Sequence, residues 1–215
     1  MIKKRIGLIR VLTTLKEELL NLHGDLVMKY YPGFQVVSRC IPDQPEGIHD
    51  YETERTAVPK VLALAREMER EGMEAVIVSC AGDPAVAEAS AELRIPVIGA
   101  GRSAASAALV LARPTAVLGI TQEVPVAIRS ILGDLLVSDA VPDGVESTLD
   151  LMEPEGKEAM IKAGVSLAEK GARAIVLACT GMSTIGAADT LKERLDIPVI
   201  DPVKAQAAAA WTLLV

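Results

Sequence analysis

The chain has 215 residues, of which half are hydrophobic and 24% charged, with one Trp, three Tyr and one Phe and a formal net charge of -7. That length and balance describe a globular α/β-sized chain with a substantial core rather than a disordered one, and the acidic charge without basic runs excludes nucleic acid and anionic membrane as partners, leaving a small molecule or another protein. Three cysteines, an odd number, do not make a disulfide framework, and the opening Met1-Ile2-Lys3-Lys4-Arg5 lacks the order of a leader sequence, so reduced thiols in a cytoplasmic protein are the expectation.

Ile6-Gly7-Leu8-Ile9 predicts a first buried strand, and Thr14 with Glu17 three residues on has the form of a capping box for a helix to about Tyr31, stopped by Pro32-Gly33. Residues 34–41 predict a second strand carrying Cys40, and residues 42–50 a loop. The next helix has Val58, Val61, Leu62, Ala65 and Met68 on one face, with its regular part expected to begin near Pro59. Ala75-Val76-Ile77-Val78 is a third strand, Asp83-Pro84 has the N-cap and first-position signature of a helix start, and Ile95-Pro96-Val97-Ile98 is a fourth strand. Residues 103–111 predict an almost uncharged helix buried between layers, lobes or subunits. Residues 115–120 predict a strand, Thr121-Gln122-Glu123 the opening of a helix to about Leu132, and residues 135–140 a sixth strand. A loop with an acidic tip spans 142–154, and the helix after it places Ile161, Val165, Leu167 and Ala168 on its apolar side. The strand 174–177, a helix over about 183–195, a strand 197–200 and an Ala-rich helix from Pro202 close the chain.

Two of these stretches are one stretch written twice. AVIVSCAGDPA (75–85) and AIVLACTGMST (174–184) each run from an apolar strand through a small residue to a cysteine, then a small residue and Gly. Each follows a charged amphipathic segment closed by Gly72 or Gly171, and each precedes a second apolar run, Ile-Pro-Val-Ile. Strand, turn, helix and strand used twice in one order predict an α/β protein of two pseudo-symmetric lobes, each a mostly parallel sheet of about four strands flanked by helices, with the site in the cleft between them. The expected division is 1–99 with 203–215 for the first lobe and 100–202 for the second. Gly7-Leu8-Ile9-Arg10 answers Gly119-Ile120-Thr121, which puts Arg10 and Thr121 at matching strand ends as candidate substrate-binding residues.

If the halves face each other, so do Cys80 and Cys179. Each thiol then lies beside a helix N-terminus, whose dipole lowers a pKa that starts at about 8.5. Backbone N–H groups of Ala81-Gly82-Asp83 and Thr180-Gly181-Met182 are placed to hold a carboxylate or an enolate oxygen. Two thiols on opposite faces of a carbon acid suit removal of the proton α to a carbonyl on one face and delivery on the other, which inverts the stereocentre without metal or organic cofactor. The pair shares one proton, so its titrations are coupled. Cys40 has no echo and reads as a packing residue. His23 in a helix and His49 in a loop have no cluster of further ligands around them, so no zinc site is expected, and Gly99-Ala100-Gly101 lacks the rest of a dinucleotide fingerprint.

Over essentially the whole chain, VSCAGDPAV with IPVIGAG and LACTGMSTIG with IPVIDPV resemble the paired cysteine motifs of the aspartate/glutamate racemase superfamily, most closely its hydantoin racemase branch. The resemblance implies cofactor-independent racemisation through Cys80 and Cys179, with Gly82, Asp83, Thr180 and Gly181 lining the site and a 5-substituted hydantoin as substrate. An amino-acid racemase of the aspartate/glutamate type, or a related isomerase or decarboxylase, is the alternative within the superfamily. A redox or ligand-binding protein with a reversible Cys80–Cys179 disulfide is the alternative of another class. The chain departs from the hydantoin and allantoin racemase pattern at Arg10-Val11-Leu12-Thr13-Thr14, where an Asn-Pro-Asn-Thr or Asn-Pro-Asn-Ser turn is common, and from amino-acid racemases at Ala81-Gly82-Asp83, where Asn-Thr commonly follows the cysteine. The nearly uncharged segments 103–111 and 205–215 predict a homo-oligomer.

Overall fold

The computed structural model describes residues 3–215; Met1 and Ile2, the start of the segment read for a leader, lie outside the described residues. Strands β1 (Lys4–Arg10), β2 (Phe34–Cys40), β3 (Ala75–Ser79) and β4 (Val97–Gly99) form one sheet in the order β2-β1-β3-β4. Strands β5 (Thr115–Leu118), β6 (Leu136–Ala140), β7 (Ala174–Leu177) and β8 (Val199–Ile200) form a second in the order β6-β5-β7-β8. All six pairings are parallel, so the repeat read in the sequence is a repeat of topology. Parallel sheets bury both faces under crossover helices, which is why β3, β5 and β7 are apolar without alternation.

Nine helices are described: α1 (Glu17–Tyr30), α2 (Tyr51–Arg70), α3 (Val86–Glu92), α4 (Ala100–Leu109), α5 (Val126–Leu132), α6 (Pro154–Glu169), α7 (Thr180–Thr184), α8 (Ala187–Lys192) and α9 (Pro202–Leu214). On β3, Val76 and Val78, and just past its end Cys80, point to the layer of α2 and α3, against Val61, Ala65, Met68 and Ala89. Ala75 and Ile77 point the other way, to Val27 of α1 and Val203, Ala207 and Ala210 of α9, and strand alternation puts Ser79 on that side too. On β7 and in the two residues after it, Ile175, Leu177 and Cys179 face α6, α7 and α8, whereas Val176 and Ala178 face α4 and α5. Helix α9, last in the chain, thus packs on the first sheet, and α4 packs on the second.

Several helix ends differ from the sequence reading, each for a local reason. Thr14 does not close a capping box: its Oγ1 accepts from the Lys16 N–H at 3.2 Å, and α1 starts at Glu17 without a side-chain cap. The capping box lies instead at Asp50 and Thr53, so α2 begins eight residues before Pro59 and carries that proline in its interior. Asp83 does not cap α3, which begins at Val86 after two left-handed residues, Asp83 (φ 55°) and Ala85 (φ 59°). Thr121 is engaged in a bend through Oγ1 to the Glu123 carbonyl, and α5 waits until Val126. The helix expected over 183–195 is two, broken at Gly186 with φ 69°. In α6 the buried stripe is Gly156, Met160, Gly164 and Leu167, with Ile161 and Val165 only half-buried. The strand-end match also shifts. Register pairs Arg10 with Ser79 and Leu118 with Leu177, so the partner of Arg10 in the second lobe is Gly119, and Thr121 lies two residues beyond it, off the sheet. Among the described residues no helix is long and apolar enough to cross a membrane.

Candidate active site

Strands β3 and β7 end one and two residues before a cysteine, and the cavity of about 900 Å³ at these ends is lined from both lobes. It brings together Arg10, Cys80, Ala81 and Gly82 of one lobe with Thr121, Cys179, Thr180 and Gly181 of the other. Of the residues named from sequence as substrate contacts, Asp83 and Met182 are not among those lining it, and Asp83 is the one whose side chain is committed elsewhere. Its carboxylate turns away and accepts from the N–H groups of Gly101 (2.8 Å) and Arg102 (2.7 Å), capping α4 from a distant loop. Burial nevertheless raises its pKa to about 6, against those two donors and Arg102.

Both cysteines are free and buried, and the effect on their acidity is opposite to the expected one. Burial pushes the Cys80 thiol up to about 12; the Gly82 N–H opposes this, while Cys179, Asp83 and Glu54 add to it. Burial pushes Cys179 up as well, against a hydrogen bond with Thr148 Oγ1 (3.7 Å), the Gly181 and Met182 N–H groups, and the positive charge of Arg10. The reason is geometric. Helix α3 starts six residues after Cys80, and α7, at whose N-cap Cys179 sits, has only five residues, so neither dipole offsets desolvation. The pair is therefore unequal, because donors and a cation gather at Cys179 and carboxylates at Cys80.

Arg10 lies at the base of the cleft, where burial lowers its pKa to about 10 while Cys40 and Cys179 sustain it, and one guanidinium nitrogen donates to the Leu19 carbonyl at 2.6 Å. Thr180 Oγ1 donates to the main-chain oxygen of Ser79 at 3.1 Å. Gly181 is required by close approach: a Cβ there would run into Thr148 Cγ2 and lie 3.3 Å from Cys179 Sγ. Sequence reasoning missed Ser79, Thr148 and the cleft carboxylates Asp50, Glu54, Glu123 and Glu146, and it read His49, which also lines the cleft, only as a loop residue outside any zinc site. Glu54 has no ion-pair partner among the described residues, and burial together with Glu88 raises its pKa. None of these carries a spacing signal, because they reach the cleft from separate parts of the chain: the end of β3, the run from His49 into the start of α2, the bend before α5 and the loop before α6. Among the described residues no group of three or more His, Cys, Asp or Glu side chains is gathered for a metal ion.

The chain is 31% identical over 188 residues to a hydantoin racemase of Rhizobium meliloti, covering 80% of this chain and 73% of the relative, and 29% identical over 197 residues to one of Pseudomonas sp. (strain NS671), covering 84% and 74%. The structure of an allantoin racemase from Klebsiella pneumoniae superimposes with a TM-score of 0.83 at 26% identity, covering 99% of this chain and 88% of that one. Residues 26–210 match the family model for Asp/Glu/Hydantoin racemase, and the chain belongs to that family.

Proposed function

We propose that this protein racemises 5-substituted hydantoins without a cofactor, with Cys80 and Cys179 as its two acid/base groups, in the cleft between a first lobe of residues 1–99 and 203–215 and a second of residues 100–202. The observation that carries the reading is that two free cysteines, at the ends of topologically equivalent strands of two like sheets, line one cavity. The Cys179 thiolate, favoured by Arg10 and Thr148, takes the proton from the ring carbon between nitrogen and carbonyl. The enolate oxygen is held by backbone N–H groups of the cysteine turns, and the Cys80 thiol gives its proton to the opposite face. That leaves Cys179 as thiol and Cys80 as thiolate, which is the starting state for the other enantiomer.

The lining discriminates between substrate classes. Asp50, Glu54, Glu123 and Glu146 face the cavity, against Arg10 as the basic side chain at its base. A field of that sign opposes the dicarboxylates aspartate and glutamate and tolerates a neutral ureide ring, whose N–H groups meet acceptors. The hydantoin and allantoin racemases similar to this chain support the same choice. We also infer a homo-oligomer in the reducing cytoplasm, supported by three free thiols and by the apolar surface left at Leu109, Val110, Leu213 and Val215.

The test is deuterium incorporation from solvent at the stereocentre, followed by NMR and polarimetry, for L- and D-5-substituted hydantoins beside aspartate and glutamate. Racemisation of a hydantoin is expected, with loss of at least 10³-fold in Cys80→Ser and in Cys179→Ser. Turnover that survives both substitutions removes the thiols from the mechanism, and exchange with an amino acid alone overturns the substrate class.

A further inference from the structure

Behind the cleft, on the face of β3 opposite Cys80, side chains from four elements form one run of hydrogen bonds. His23 of α1, Ser79 of β3 and Gln206 of α9 are almost wholly buried, and Thr184 closes α7. His23 Nδ1 lies 2.9 Å from Ser79 Oγ, and its Nε2 lies 3.0 Å from Thr184 Oγ1. Gln206 Nε2 donates to the same Ser79 Oγ at 3.1 Å, while its Oε1 is buried without a partner. The position of these groups along the chain gives the network its meaning. Ser79 precedes Cys80; Thr184 ends the short helix that Cys179 begins. The two cysteine segments are thus tied twice, once by Thr180 Oγ1 to the Ser79 main-chain oxygen and once through the His23 ring.

Each imidazole nitrogen meets a hydroxyl, no carboxylate among the described residues joins the network, and complete burial, with the Arg10 charge adding to it, holds the ring's pKa well below the ordinary value, so His23 is neutral, one nitrogen donating and the other accepting. A neutral imidazole is suited to this link because it offers a donor and an acceptor on opposite sides of one rigid ring. Buried polar groups such as these add little net stability over apolar packing, and the unpartnered Gln206 oxygen costs some of it. What a satisfied buried network does supply is a single defined arrangement of the elements it joins.

We propose that His23 is a positioning residue that sets the separation and facing of the Cys80 and Cys179 thiols through Ser79 and Thr184, without touching substrate. The kinetic part rests on the two-thiol reading above; the geometric part does not. The test uses His23→Leu, which breaks both bonds, and His23→Gln, which restores one, each in a Cys40→Ser background. A series of bifunctional methanethiosulfonates of increasing length reads the gap between the thiols by mass spectrometry, and hydantoin kinetics read its consequence. The parent protein should be bridged preferentially by one spacer, and H23L should lose that preference at least fivefold. In H23L kcat per folded molecule should fall at least tenfold with KM within twofold, and H23Q should recover part of both effects. If H23L does not fold, Ser79→Ala, which keeps the main-chain acceptor for Thr180, is expected to show the same changes. Unchanged spacer preference and unchanged kcat in the folded variant overturn the proposal. A broadened preference in a protein that turns over no hydantoin keeps the positioning role and overturns the substrate reading.

Discussion

Cys80 and Cys179 are alike in sequence and unlike in surroundings. Arg10, Thr148 and two backbone donors act on Cys179, while Glu54 and Asp83 act on Cys80, whose thiol is held at about 12. The reactive form of a two-base pair carries one thiolate and one thiol, and with both values raised the resting pair at pH 7 is mostly doubly protonated. Deprotonation therefore creates the active form, so kcat/KM should rise as pH rises, by up to about tenfold per unit, and turn down only when the second thiol ionises in the strongly alkaline range. Initial rates from pH 6.5 to 9, corrected for uncatalysed racemisation, check this; a flat profile would mean that the pair is already singly ionised at neutral pH. The cysteines themselves were legible because the chain spells their setting twice. Their acidity was not, because burial depends on what α2 and the 142–153 loop lay over them.

At the scale of elements, the two halves solve one packing problem with exchanged parts. In the first lobe the acid sits on the cysteine turn, where Asp83 caps α4 across a gap kept open by Gly99 and Gly101. In the second, Asp201 caps its own helix α9 and accepts from Ser183 Oγ of α7 at 2.8 Å. The glycines that resembled a nucleotide loop are thus packing residues, since a Cβ on Gly101 would run into the Ala81 carbonyl. Gly101→Ala should destabilise the protein by about 1–3 kcal/mol, the usual cost of overpacking, despite the gain of about 1 kcal/mol that alanine brings to an exposed helix position. Urea unfolding measures the first quantity. Because Ala81 borders the cleft, activity of the folded variant should fall as well.

For the whole molecule, helix exchange across the repeat makes the lobes interdependent. Helix α9 comes from the chain end to cover the first sheet, and α4 follows β4 to cover the second, so neither sheet has its full cover from one continuous half. Much of the uncharged surface of these two helices is used inside the chain, at Ala104, Ala105, Ala108, Ala207 and Ala210. Leu109, Val110, Leu213 and Val215 remain exposed near the helix ends, and we expect them at a subunit contact. Multi-angle light scattering at micromolar concentration should give at least twice the 22.7 kDa chain mass, and Val110→Asp should lower it. A monomer mass for the parent protein would remove the oligomer.

The sequence by itself determined the α/β class, the duplication, the succession of strands and helices along each repeat and the matching positions of the two cysteines, because those follow from local apolar runs and from a motif repeated at like positions. It also carried the likeness to the racemase family. Only the tertiary structure decided that Asp83 caps α4, that Gly119 rather than Thr121 answers Arg10, that carboxylates line the cleft and that His23 joins the two cysteine segments. These depend on residues as far apart as 161 positions meeting in space, and on burial, which sets the sign of a pKa shift and has no signature in spacing.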